Sequence, residues 1–195
     1  TQSLTSDACP VSYSSENLAS ELAAHGYSFG GYAEDFPSTG NPCESTATSL
    51  PSGYLYQRKH IPWADFTNVP LSVGRNYTGA LNSLPASVTM IVPNICNDMH
   101  DCSVASGDAW LSKNIPSIIA YNQSHNGLLI LTWDEGEYSS SNHVVTILAG
   151  PLVNAGSYGQ YVTHYDVLRT IEENFNLPLL GSSASATGLP PALFK

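Results

Sequence analysis

Positive charge is scarce in this sequence. Six Lys and Arg face sixteen Asp and Glu for a net charge of −10, and charged residues fill only 11% of the 195 positions. So acidic a chain repels polyanions and has no basic stripe to lay along a phosphate backbone, which argues against nucleic acid as a partner. The sequence also lacks a secretory leader, a lipidation motif and any apolar run of about 18 residues, so no membrane span is expected and any leader is read as already removed. No C-x-x-C pair occurs, which leaves no sign of a zinc knuckle. There is no internal repeat or low-complexity tract, and a single domain over residues 1–195 is expected to bury a substantial core.

What is present fits an oxidising compartment. Hydrophobic residues make up 42%, so the surface must be covered largely by Ser, Thr, Asn, Gly and Tyr, a texture common in secreted proteins. Four cysteines, Cys9, Cys43, Cys96 and Cys102, sit among loop-type residues, which favours disulfides over buried thiols. Three pairings are possible. Cys96 with Cys102 and Cys9 with Cys43 are favoured, because the first closes a short loop and leaves the other two to each other. Two N-x-S/T sequons, at Asn76 and Asn122, are usable for glycosylation in a eukaryotic secretory pathway.

Along the chain, Ser14-Ser15-Glu16 before Asn17–Gly26 reads as a helix with Ser at its start, Leu18 and Leu22 on one face and Gly26 as its stop. Residues 27–33 read as a strand. From Phe36 to Pro85 six prolines and little periodicity predict mostly irregular structure, with a short helix near residues 77–83. Three apolar, β-branched runs come next, at 88–93, 128–133 and 144–149, and uninterrupted runs of this kind fit strands buried on both faces. Residues 105–121 read as a helix broken near Pro116, and residues 164–175 as another. Helices alternating with buried strands predict a three-layer α/β/α sandwich.

In open α/β sheets ligands gather beyond the carboxyl ends of the strands, so the residues just after each buried run matter most. The first run leads into Asn97, Asp98, His100 and Asp101, in a loop that a Cys96–Cys102 bridge would pinch. The second leads into Asp134-Glu135-Gly136-Glu137, and His143 stands just before the third. Adjacent carboxylates repel one another unless a cation or basic group neutralises them. Oxygen ligands suit Mg²⁺, Ca²⁺ or Mn²⁺, and a nearby His admits Zn²⁺ or Fe, so a divalent metal ion is expected with its identity open. Each cluster alone could be a solvated turn; three of them beside three buried strands are easier to explain together.

The strings Asn94-Ile-Cys-Asn-Asp-Met-His-Asp-Cys102, Leu131-Thr-Trp-Asp-Glu-Gly-Glu137, Asn142-His-Val144 with Ala149-Gly-Pro151, and His164-Tyr-Asp-Val-Leu-Arg-Thr-Ile-Glu172 resemble the second half of the phosphoesterase family that includes secreted acid phosphatases and bacterial phospholipases C. Tyr56-Gln-Arg-Lys-His-Ile-Pro-Trp63 is similar to it too. The resemblance spans essentially the whole chain. It implies an alkaline-phosphatase-like fold and hydrolysis of a small phosphate ester at a metal-bearing site. Carried over, it assigns Asp134 and Glu135 to the metal, and His143 and His100 to the phosphate or the leaving group. Asp98, His60 and His164 are further candidates near the same pocket, while Trp63 and Trp133 read as core and rim. A His could protonate the departing alkoxide, which suits an acidic working pH.

The chain departs from the family pattern in having neither its Glu-Asn-His motif nor its Ser or Thr nucleophile on a Pro-rich turn. The expectation is therefore a sandwich incomplete at the N-terminus, with an upstream segment of the same precursor as a partner. A secreted phosphoesterase is the first expectation. Its rival is a non-catalytic extracellular binding or structural protein that keeps the carboxylate metal site as a staple.

Overall fold

The computed structural model describes residues 8–45, 47–79, 86–136 and 141–195. The chain is a mixed α/β protein that divides into two compact units, one up to Asn114 and one from Ile115 to Lys195.

In the first unit, helix α1 (Leu18–Ala24) leads to strand β1 (Phe29–Glu34), the centre of a parallel sheet. Strand β2 (Gly74–Tyr77) pairs with one of its edges and β3 (Val88–Val92) with the other. The helix is capped by Asn17 rather than by a serine: Ser20 N donates to Asn17 Oδ1, and Asn17 N donates to Ser20 Oγ, both at 3.0 Å. Two of the helix's orphan N–H groups are thereby satisfied at once. Gly26 at φ +81° ends it, and Leu22 is fully buried beneath, worth about 2 kcal/mol of apolar burial.

The proline-rich stretch is more ordered than its composition suggests. Its described residues hold three short 3₁₀ helices, Arg58–His60, Pro62–Asp65 and Leu71–Val73, besides β2. Tyr77, where a helix was expected to begin, is in β2, and residues 80–83 of that expected helix lie outside the described residues. Tyr56, Ile61, Trp63 and Val69 from this stretch join Ala33 and Phe36 as the core. Prolines punctuate such a segment without unfolding it, because its apolar side chains still find a sheet to cover. Trp63 lies so close over β1 that a β carbon at Gly31 would stand 2.4 Å from its Cε2. Arg58 and Asp65 form a buried ion pair below the core, and Arg58 also donates to Ala8 O. Burial raises the Asp65 carboxyl, which the Arg58 guanidinium partly offsets.

Helix α2 (Val104–His125) passes through Pro116 unbroken. Proline removes one helical donor and crowds the preceding turn, but neighbouring turns can carry a helix of this length across it. In the second unit β4 (Leu129–Thr132) and β5 (Thr146–Ala149) pair antiparallel, and α3 (His164–Asn174) comes after them. The three apolar runs thus do not share one sheet, and they are half-buried rather than covered on both faces. Met90, Val145 and Ile147 are exposed, because β3 is an edge strand and β4–β5 is a two-stranded ribbon.

The segment after α3 is tied back to it by buried carboxylates. Glu172, fully buried, accepts Leu180 N at 3.0 Å and Ser183 Oγ at 2.6 Å. Asp166 accepts from the backbone N–H and hydroxyl of both Thr163 and Thr187. Burial works against its charge, but those four bonds outweigh it and hold the carboxyl down at about 2.

Candidate active site

Beyond β3 the chain turns sharply, and nearly every polar group in the turn is engaged. Asn94 Oδ1 accepts Cys96 N at 3.1 Å and Asn97 N at 3.0 Å, and Asn94 Nδ2 donates to Asp35 Oδ2 at 2.7 Å. Glu34 Oε2 takes both Asn94 N, at 3.0 Å, and Asn97 Nδ2, at 2.8 Å. The carboxylates ending β1 therefore fasten the loop beyond β3. A Cys96–Cys102 disulfide closes it, with a second bridge at Cys9–Cys43, and these are the two pairings the sequence favours. Met99 adopts a left-handed φ of +77°, and its side chain presses on Gly107, where a β carbon would meet Met99 Cε at 2.3 Å.

The fastened loop brings His60, Asp98 and His100 together. His60, at the end of the 3₁₀ helix Arg58–His60, meets Asp98 Oδ2 through Nδ1 at 2.8 Å. Asp98 Oδ1 accepts His100 N at 2.9 Å. His100 Nδ1 in turn meets Asp101 Oδ1 at 2.9 Å, and the two imidazole rings stand 5.5 Å apart. A carboxylate can only accept, so each neutral ring carries its proton on Nδ1 and offers a bare Nε2. Neither Nε2 has a partner among the described residues. The His60 and Asp98 side chains are 22% and 18% exposed and His100 is 49% exposed, whereas Asp101 is nearly covered at 3%. Burial opposes the Asp101 charge, but bonds from Ser52 and His100 outweigh it and lower its carboxyl. Once protonated at Nε2, two such imidazoles can donate to a tetrahedral oxyanion or hand a proton to a leaving oxygen.

In the second unit, Asp134 and Glu135 come just after β4, and His143 stands ahead of β5. The connection is pinched at its neck: Gly136 N donates to Asn142 Oδ1 at 2.7 Å, and a β carbon at Gly136 would meet His143 O at 3.1 Å. His164, the first residue of α3, places Nε2 2.9 Å from the Asp134 carbonyl oxygen, so it touches the backbone of the carboxylate turn. The side chains of Asp134, Glu135 and His143 are exposed and have no partner among the described residues. Two adjacent carboxylates with free lone pairs suit part of a hard cation's shell. Among the described residues no three His, Cys, Asp or Glu side chains converge as a metal site, and Glu137 lies outside those residues.

Sequence reasoning missed Ser52, Glu34 and Asp35. Glu34 and Asp35 do carry a signal, since they end a buried strand as the other polar clusters do. Ser52 carries none, because its partner Asp101 is 49 positions away.

Comparison with known proteins gives the geometry a setting. The chain is 39% identical to a phosphatidylinositol-3-phosphatase of Mycobacterium tuberculosis, over 96% of this chain and 61% of that protein. It is 30% identical to a phosphate-repressible acid phosphatase of Penicillium chrysogenum, over 79% of this chain and 40% of the relative. An acid phosphatase of Aspergillus fumigatus is 32% identical over 65% of this chain and 32% of its own length. The chain thus spans about three fifths of the mycobacterial relative's length and two fifths of the Penicillium relative's. No solved structure matches it. The model of the Phosphoesterase family covers residues 2–178, every residue of both clusters among them, and the chain belongs to that family.

Proposed function

We propose that this chain carries the phosphate-binding and leaving-group part of a secreted phosphoesterase that hydrolyses small phosphate esters in the manner of an acid phosphatase. The observation that carries the reading is the pair of carboxylate-held imidazoles, His60 on Asp98 and His100 on Asp101, with ring centres 5.5 Å apart. In this reading the rings bind the phosphoryl oxygens when protonated at Nε2, and one of them gives its Nε2 proton to the departing alkoxide. His143, in the second unit, is a further candidate for contact with a phosphate oxygen. Asp98 is a positioning residue for His60. The names of the relatives, two of them acid phosphatases, support hydrolysis of a phosphate ester.

Asp134 and Glu135 hold a divalent cation, which supplies charge neutralisation for the developing phosphoryl charge. His164 fixes the turn that presents them through its bond to the Asp134 carbonyl. The rest of the cation's shell, and the hydroxyl nucleophile, are assigned to an upstream segment of the same precursor. The two disulfides favour an extracellular setting, and no described helix is long and apolar enough to cross a membrane.

The test is hydrolysis of an aryl phosphate by this segment alone and by the segment joined to the upstream part of its precursor, each with and without added divalent metal. Turnover is expected only for the longer protein. Within it, His100→Ala and His60→Ala should each lower kcat/KM by about a hundredfold or more. Full activity in both variants would refute the assignment of the imidazoles.

A further inference from the structure

Asp101 stands apart from the other carboxylates of the disulfide loop in what holds it. Its Oδ2 accepts the backbone N–H of Ser52 at 2.7 Å, and its Oδ1 accepts the Ser52 hydroxyl at 2.8 Å as well as His100 Nδ1 at 2.9 Å. Its own N–H donates to Ile95 O at 3.0 Å. Ser52 comes from the proline-rich stretch, on a turn closed by Gly53 N bonding to Leu50 O at 2.8 Å and Thr48 N to Gly53 O at 2.6 Å. A nearly covered carboxylate is thus aimed at an exposed imidazole by a donor pair from a remote loop. Simple solvation of Asp101 would not require the Ser52 turn, and simple loop closure would not require His100.

We propose that Ser52 and Asp101 form a positioning relay that fixes the orientation and tautomer of His100: Nδ1 keeps its proton on Asp101, and Nε2, facing the substrate, is the nitrogen that gains and gives up the transferred proton. The tautomer is independent of the proposed phosphoesterase reading; the effect on turnover rests on it.

The relay makes a distinctive prediction for Asp101→Asn. The Ser52 backbone N–H can only donate, so the amide oxygen must take the place of Oδ2. The amide NH₂ then replaces Oδ1 and donates to His100 Nδ1, while the Ser52 hydroxyl turns to accept. His100 should switch to the Nε2–H form. His60, held by Asp98, should keep its Nδ1–H form and serves as an internal control.

Imidazole ¹⁵N correlation spectra, recorded above the titration range of both rings, read these states directly. The unmodified protein should show Nδ1–H for both histidines; Nε2–H at His100 would overturn the proposal with no variant needed. In D101N His100 alone should change form, and an unchanged ring in a folded variant would likewise overturn it. Ser52→Ala keeps the backbone donor and should retain the Nδ1–H form. In the full-length enzyme D101N should lower kcat at least tenfold with KM within about twofold, as expected when a histidine is held in the wrong tautomer. A switched tautomer with unchanged kcat would remove the catalytic half of the relay while leaving its structural half standing. Loss of tautomer control while His60→Ala still abolishes turnover would sink the relay and spare the phosphoesterase reading.

Discussion

The loop after β3 and the connection after β4 carry the same kinds of side chain, yet the fold treats them differently. The first is closed by a disulfide, sewn to β1 through Glu34 and Asp35, and locked onto Gly107 by Met99. Among the described residues the second is held by Gly136, Asn142 and the His164 bond, and its Asp134 and Glu135 are exposed. Groups that must face a tetrahedral anion at fixed distances need rigid support. Groups that take up a cation can gain order from the cation itself. In the proposed reading the imidazole cluster of the first unit is preformed, whereas the carboxylate turn of the second is completed by its cation.

Removing the disulfide breaks the comparison most directly. Cys96→Ala with Cys102→Ala frees a short loop, which the chain-entropy relation values at about 2 kcal/mol of stability. Thermal unfolding should fall by several degrees, since about 1 kcal/mol shifts a chain of this size by roughly 2–4 °C. A wild-type melting curve would show that the hydrogen-bonded network alone holds the loop.

A smaller effect is expected within the second unit, away from the open connection. Asp166→Asn leaves an amide oxygen for one of the two threonines and sets an NH₂ against the backbone N–H of the other, and should cost about 1–2 kcal/mol near neutral pH. The sign of the pH dependence comes from its depressed carboxyl. The Asp166 contribution is present above the ordinary carboxylate range near 4 and is lost as pH falls toward about 2. Wild type and variant should therefore converge in stability in strong acid, which denaturant titrations at neutral pH and near pH 2 would check.

The smallest effect belongs to the open connection. Asp134→Asn and Glu135→Gln should change unfolding stability by less than about 0.5 kcal/mol, because neither side chain has a partner to lose among the described residues. In the proposed reading both abolish stabilisation by added divalent metal in the full-length protein. A metal response that survives both changes would remove the cation from this turn.

Features set by local chemistry were readable in the sequence. The helices at α1 and α3, the three apolar strands and both disulfides fall where spacing, β-branching and loop composition put them. The breaks came where tertiary structure decides. Pro116 reads as a boundary because its cost is local, whereas the helix continues with support from both sides. The runs at 88–93, 128–133 and 144–149 read as strands covered on both faces, but apolarity does not encode whether a strand lies at an edge or in a ribbon. His60, Asp98 and His100 were individually visible as candidates. That His60 and Asp98, 38 positions apart, share one hydrogen bond is a product of how the 3₁₀ helix and the loop meet.

The tryptophans give each half of the molecule its own optical reporter. Trp63 is buried against Gly31 with its indole N–H unbonded, so it emits as an indole in a dry apolar setting and shifts to the red when the first unit's core opens. Trp133, half-buried in the second unit, directly precedes Asp134, so a paramagnetic ion held by that turn would quench it at short range. Trp110 rests against Tyr77, with ring centres 5.5 Å apart, and can take up energy absorbed by that phenol. Single-tryptophan variants would separate core unfolding, read as a change of colour at Trp63, from events at the carboxylate turn, read as a loss of intensity at Trp133.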